Sequence, residues 1–283
     1  MVGLILEGGG MRCAFTAGVL DQWMADDLYF HRVYGVSAGA GEACSYVCHQ
    51  PGRGLRVWLN YLDDPRFCSL RSLLTTGDLF GAELSYDLVP RKLDPLDDEA
   101  YQRSGARLIA VATDVSTGQP LYLPIKHMLE DVEIIRASAS LPLVSNIVNI
   151  NGAGCLDGGI SDSIPIRRAM ADGCDKNVLV LTQAPGYRKE PNKALGLIRA
   201  RYHRYPKLVE AVERRHIMYN DTLDFIAREE KAGRLFVLRP DVKPEVGRVE
   251  KDPRKLQHLH DIGAAIARRE RQRLLEFLVG EAI

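Results

Sequence analysis

Two textures alternate along the chain. Short, nearly unbroken apolar runs stand at residues 2–6, 32–36, 108–112, 121–123, 178–181 and 235–238. Runs of that length and richness in Val, Ile and Leu predict strands buried on both faces. Between them the apolar residues recur at helical spacing. Residues 12–25 place Phe15, Val19 and Trp23 on one face, and residues 37–47 continue as a helix until Gln50-Pro51-Gly52 ends it. A short helix is expected at 131–137. A hairpin is expected from 147–150 through the turn Asn151-Gly152 to 155–157. Pro165 suits the first turn of a helix running to residue 171.

Residues 53–95 are mostly helical in pattern but are interrupted at Pro65, Gly77 and Pro90, which predicts an excursion from the sheet. Leu73, Leu74, Leu79 and Phe80 in this excursion are candidates to wall an apolar pocket, or simply to pack its helices. After Thr182 the texture changes. A polar loop at 183–193 precedes a long helix at 206–231 and a final amphipathic helix at 253–279, with Leu256, Leu259, Ile262 and Ile266 on its apolar face. Strands separated by helices predict an α/β fold with a mostly parallel sheet covered on both faces.

The length of 283 residues suits one large α/β domain or a domain with a helical appendage. With 37 basic and 37 acidic residues the formal net charge is zero, so no global field draws in nucleic acid. The six cysteines form no CxxC pair, and no apolar run is long enough to span a bilayer. These features predict a protein of a reducing, cytoplasmic compartment. Cys44, Cys48 and His49 lie close in sequence, but buried thiols explain them better than a metal does, and no metal or cofactor is implied.

The chemistry-bearing segments change the picture. Gly35-Val36-Ser37-Ala38-Gly39 joins a strand to a helix. A serine on such a turn is exposed on a strained backbone, and side chains at Gly35 and Gly39 would collide. Gly8-Gly9-Gly10-Met11-Arg12 closes the first strand. Its open N–H groups suit an anion, either a phosphate or the oxyanion of acyl transfer. Cys13 stands where a dinucleotide GxGxxG would need glycine, no Gly-Lys-Ser/Thr follows, and Ser37 comes only 27 residues after Gly10. The oxyanion reading gains from this spacing if the two strands are neighbours. Asp157-Gly158-Gly159 alone is a favoured turn.

Together GGGMR, GVSAG and DGG, with Ser138-Ala139-Ser140-Leu141-Pro142 before the acid, resemble the signature of the patatin-like phospholipases over roughly residues 1–185. The resemblance implies a three-layer α/β/α sandwich. It implies a catalytic dyad of Ser37 and Asp157, and an oxyanion hole from Gly8, Gly9 and Gly10. Arg12 becomes a candidate contact for an anion or headgroup. Cys13 departs from the family's usual glycine. The expected organisation is a catalytic core at 1–185 and a mainly helical C-terminal extension at 186–283. The expected activity is that of a phospholipase A or lysophospholipase-type esterase working through an acyl-enzyme, on a phospholipid or other acyl ester, with transient peripheral membrane contact. A transacylase or thioesterase with the same dyad, and a non-catalytic anion- or nucleotide-binding protein built on Gly8 to Gly10, are the rival readings. A Ser–acid–His triad would draw on His203, His216, His258 or His260, all in charged helical segments that read as surface. His31 and His49 lie nearer Ser37 in sequence.

Overall fold

A computed structural model describes residues 1–279. The last four positions of the expected C-terminal extension, 280–283, lie outside the described residues. The chain opens with β1 (Val2–Leu6), a 3₁₀ turn at Gly10–Cys13 and α1 (Ala14–Ala25), then β2 (Arg32–Val36) and α2 (Ala38–Val47). The excursion holds α3 (Arg53–Tyr61), α4 (Leu70–Thr76) and a π-helical stretch, Leu84–Leu93, that contains Pro90. The wider turn tolerates that proline: Asp94 N–H donates to Val89 O at 3.0 Å and Leu96 N–H to Pro90 O at 2.9 Å. Next come α5 (Asp98–Ser104), β3 (Arg107–Asp114), β4 (Pro120–Pro124), α6 (Val132–Ser138), β5 (Val148–Ile150) and β6 (Ala153–Asp157). The chain ends through α7 (Ile166–Ala171), β7 (Lys176–Val180), α8 (Leu195–Arg201), α9 (Pro206–Lys231), β8 (Leu235–Leu238) and α10 (Pro253–Val279).

The strands form one sheet in the order β5-β6-β3-β2-β1-β7-β8, with β4 also on β3. From β3 to β8 the neighbours are parallel, while β4, β5 and β6 join antiparallel. The period-2 alternation of a strand sends Leu4, Val33, Ala110 and Val178 into one core and Ile5, Tyr34, Ile109 and Leu179 into another. The first core is closed by α1, α2 and α10 through Phe15, Val19, Trp23, Tyr46, Leu256 and Ile266. The second is closed by α7 and α9 through Ile166, Ala169, Tyr219 and Ile226. The result is the three-layer α/β/α sandwich expected, a mixed sheet that is mostly parallel, with a C-terminal helix against it.

The C-terminal segment is woven into these layers. β8 extends the sheet from β7, His260 Nε2 on α10 lies 2.8 Å from Asp21 Oδ2 on α1, and Lys176 Nζ donates to the carbonyls of Phe277 and Leu278 at 2.8 Å each. Two sequence expectations need correction here. His260 is not a free surface side chain but is half-buried against Asp21, and His216 is half-buried too, whereas His203 and His258 are exposed. α8 occupies a stretch that carried no expected helix.

Candidate active site

Ser37 sits where β2 turns into α2, with φ 56° and ψ −131°. A non-glycine residue seldom holds a positive φ, and such strain persists only where neighbours over-determine it. Ser37 N–H donates to Ser138 Oγ at 2.9 Å, and that hydroxyl donates to Val111 O at 2.6 Å, so a serine on α6 ties the turn to β3. The turn also needs room. A Cβ on Gly35 would lie 2.5 Å from Ala40 Cα, and one on Gly39 would lie 2.7 Å from Glu7 O.

The sheet register brings the acid to the serine. β3 pairs with β2 through Val111 and Val36, and with β6 through the next residue, Ala112, and Asp157. The residue after Val36 and the last residue of β6 therefore meet over adjacent positions of one strand. Asp157 is only 1% exposed. Its N–H donates to Ser140 O at 2.7 Å, its carbonyl accepts from Thr113 Oγ1 at 2.8 Å, and its Oδ1 accepts from Gly159 N–H at 2.7 Å. Among the described residues Oδ2 is buried without a hydrogen-bond partner. Burial pushes the Asp157 carboxyl above its ordinary range, while Arg215, the Ser37 hydroxyl, the Gly159 N–H and Arg248 pull the other way.

The glycine run ends β1 beside this turn, since β1 and β2 are parallel neighbours. Gly10 has φ +60°. Among the described residues the N–H groups of Gly9 and Gly10 donate to no protein acceptor, whereas Met11 N–H donates to Arg248 O at 3.0 Å. Cys13, the departure from the family pattern, is fully buried with its thiol 3.5 Å from Glu7 O, so the small side chain fits the first turn without crowding the loop.

Ser37 borders two cavities. The larger, about 190 Å³, is apolar and lined by Trp58, Phe67, Leu79, Phe80, Val89 and Ile135 among others. Of the four excursion residues expected to wall a pocket, Leu79 and Phe80 line this cavity, Leu73 does not, and Leu74 is 86% exposed. One carboxyl, Glu42, stands in that apolar wall, and burial pushes its pKa up to about 8. The smaller cavity, about 30 Å³, is polar and is lined by Gly8, Gly9, Gly10 and Asp157 together with Arg12, Lys189, Arg215 and Arg248.

The sequence motifs thus converge on one spot: Ser37, Asp157, Gly8 to Gly10 and Arg12 all line cavities that meet at Ser37. Among the described residues no histidine lines either cavity. Sequence reasoning missed Lys189, Arg215 and Arg248, which come from distant segments with no shared motif. It also missed Glu7, which is buried and accepts from Thr182 N–H at 2.7 Å, Thr182 Oγ1 at 3.1 Å and Tyr219 OH at 2.5 Å. Glu7 at the end of a hydrophobic strand beside a glycine run was the available signal, because a carboxylate there must find buried partners. Cys44 is a buried thiol whose pKa burial pushes up to about 12, and His49 stacks on Tyr29 at 3.9 Å.

Residues 4–170 match the model of the family described as patatin-like phospholipase, and residues 205–279 match a domain of unknown function (DUF6363). The chain belongs to the patatin-like phospholipase family, and its broad class is lipid hydrolase with lipid substrates. It is 30% identical over 251 residues to "Uncharacterized protein YjjU" of Escherichia coli (strain K12), an alignment that takes in 84% of this chain and 68% of that one. It also aligns, at 10% identity and a TM-score of 0.47, with the crystal structure of VipD from Legionella pneumophila, over 96% of this chain and 66% of VipD's length. Among the described residues, no helix is long and apolar enough to cross a membrane.

Proposed function

We propose that the chain is a serine-dependent acyl-ester hydrolase of the phospholipase A or lysophospholipase type, with Ser37 as nucleophile and Asp157 as its base. One observation carries this reading. Ser37 stands on a strained strand-to-helix turn between an apolar cavity and the carboxyl of Asp157, whose Oδ2 is buried with no hydrogen-bond partner among the described residues.

In the proposed reaction the acyl chain lies in the apolar cavity. Asp157 takes the hydroxyl proton as Ser37 Oγ adds to the ester carbonyl. The oxyanion is held by the N–H groups of Gly9 and Gly10, with Gly8 shaping the loop. Collapse of the intermediate breaks the ester C–O bond, and the departing alkoxide takes the proton from Asp157. A water then gives its proton to Asp157 and adds to the acyl-enzyme. Release of the fatty acid returns the proton to Ser37. Burial helps Asp157, because a carboxylate of ordinary acidity is a weak base near neutral pH. The substrate is met by transient contact with a lipid surface.

A fluorophosphonate probe tests the reading. It should label Ser37 in the wild-type chain and leave Ser37→Ala unlabelled, alongside fatty-acid release from phospholipids, lysophospholipids, acylglycerols and acyl-thioesters. Absence of labelling in a folded chain would return the glycine loop to a binding role. Release from thioesters alone would favour the thioesterase.

A further inference from the structure

The small polar cavity beside Ser37 is crowded with cations. Arg12 comes from the turn after the glycine run, Lys189 from the loop between β7 and α8, Arg215 from α9, and Arg248 from the segment between β8 and α10. Three of the four belong to the C-terminal part of the chain, beyond the match to the patatin-like family at residues 4–170. Two are anchored through their backbone: Lys189 N–H donates to Asn220 Oδ1 on α9 at 2.9 Å and its carbonyl accepts from Asn220 Nδ2 at 3.0 Å, and the Arg248 carbonyl accepts from Met11 N–H at 3.0 Å. Arg12, Lys189 and Arg215 are half-buried, and Arg248, which borders both cavities, is exposed.

None of the four makes a salt bridge among the described residues, although the chain's other arginines pair widely, as Arg136 does with Asp78, Arg56 with Asp94 and Arg269 with Asp241. Among the described residues the Nε atoms of Arg12 and Arg215 are buried without a hydrogen-bond partner. The two acids in the cavity are otherwise engaged: Glu7 is saturated by Thr182 and Tyr219, and Asp157 faces Ser37. Burial, reinforced by Arg215, Arg248 and Arg12 and opposed by Glu7, pushes Lys189 down to about 7. Four cations against two carboxyls, with no salt bridge between them, leave an excess of buried positive charge that is costly in the free protein and calls for an anion. Guanidinium forks suit phosphate oxygens.

Size narrows the class. The polar cavity, about 30 Å³, is far smaller than the apolar one of about 190 Å³, and the two share Gly10, Ser37, Leu141 and Arg248. An ester carbonyl at Ser37 would send its acyl chain one way and a compact anionic group the other. Four cations there would repel a choline or ethanolamine ammonium.

Resting on the serine-esterase reading, we propose that Arg12, Lys189, Arg215 and Arg248 form a subsite for the terminal phosphate monoester of an acyl-lipid substrate, favouring phosphatidate-type lipids over choline-capped and neutral ones.

The test compares phosphatidate, phosphatidylcholine and diacylglycerol of matched acyl chains, with released fatty acid as the readout. For the wild-type chain, kcat/KM should be highest for phosphatidate. In Lys189→Gln and Arg215→Gln the phosphatidate-to-diacylglycerol ratio should fall about tenfold or more, the scale of losing one hydrogen bond to a charged group. The fall should lie mainly in KM. Because Lys189 is on a loop, its variant keeps the test standing if Arg215→Gln fails to fold. A uniform loss on every lipid with an unchanged ratio would mean that the cations only stabilise the oxyanion, and would overturn the proposal. Inorganic phosphate, titrated calorimetrically into Ser37→Ala protein, separates headgroup from free ion. Binding that Lys189→Gln weakens supports the subsite, but binding with no lipid preference overturns the headgroup assignment. If no lipid is cleaved and the fluorophosphonate leaves Ser37 unlabelled, the esterase reading has failed by itself, and the phosphate titration still decides whether the chamber is an anion site.

Discussion

Replacing Asp157 with Asn tests the proposed chemistry and its electrostatic cost together. The side chain keeps its shape, and its carbonyl oxygen can still accept from Gly159 N–H, which reaches Oδ1 at 2.7 Å. What disappears is the proton acceptor and the charge facing Ser37. General-base assistance is worth roughly 10²–10⁴-fold in rate, so turnover of a p-nitrophenyl ester should fall by about that factor. Stability should move the other way. The folded-state pKa of Asp157 is raised, chiefly by burial. The folded chain therefore holds that proton more tightly than the unfolded chain does. Its contribution to stability is full at low pH and is lost as pH rises through the folded pKa. Above that pKa the buried carboxylate is a cost, and Asp157→Asn should unfold at the same temperature as wild type or higher. Combining it with Ser37→Ala should add little further loss, because groups acting as one unit lose activity non-additively. The reasoning is refuted if Asp157→Asn retains near wild-type turnover, or if a folded His→Gln variant falls as far as Asp157→Asn does.

Glu42→Gln should change stability through pH: the wild-type carboxyl, raised to about 8 from an ordinary 4.5, loses stability as pH climbs between those values. Urea unfolding at about pH 5 and about pH 8 should show the variant gaining on wild type by roughly a few kcal/mol, and parallel profiles would contradict this. Gly39→Ala puts a Cβ 2.7 Å from Glu7 O, so it should lower stability by about 1–3 kcal/mol in denaturant unfolding and reduce turnover by shifting the elbow. Esterase activity should survive excess EDTA, since neither proton transfer to Asp157 nor the glycine N–H groups needs a cation; a loss restored specifically by calcium would count against the mechanism.

Much of the sheet was legible because its strands are short apolar runs set between helical patterns. β1, β2 and β8 fall at their expected residues, as do α9 and α10. The antiparallel entry of β6 beside β3 was not readable, since hydrophobic pattern reports burial and not partner. That pairing is what brings Asp157 to Ser37. The π-helical stretch around Pro90 was hidden because proline reads as a break, yet the wider turn absorbs it. Local motifs exposed Ser37, Gly8 to Gly10, Asp157 and Arg12 as candidates. Lys189, Arg215 and Arg248 left no local trace, because each is one cation among many in polar segments and only tertiary folding sets it apart.

The environment of Asp157 is a balance between two parts of the chain. The edge from β1 to β6 buries the carboxyl beside Ser37, and burial pushes its pKa up. Arg215 and Arg248 oppose that shift, and both come from beyond residue 185. The same cations that would receive a phosphate therefore also keep Asp157 within reach of ionisation. An anion seated among them would cancel part of their field and strengthen the base at the moment a substrate is bound. On this argument the C-terminal segment is more than a cover for the sheet. It supplies the charge that opposes the upward shift of Asp157 and, under the proposed reaction, would set both what can sit beside Ser37 and how readily Asp157 takes its proton.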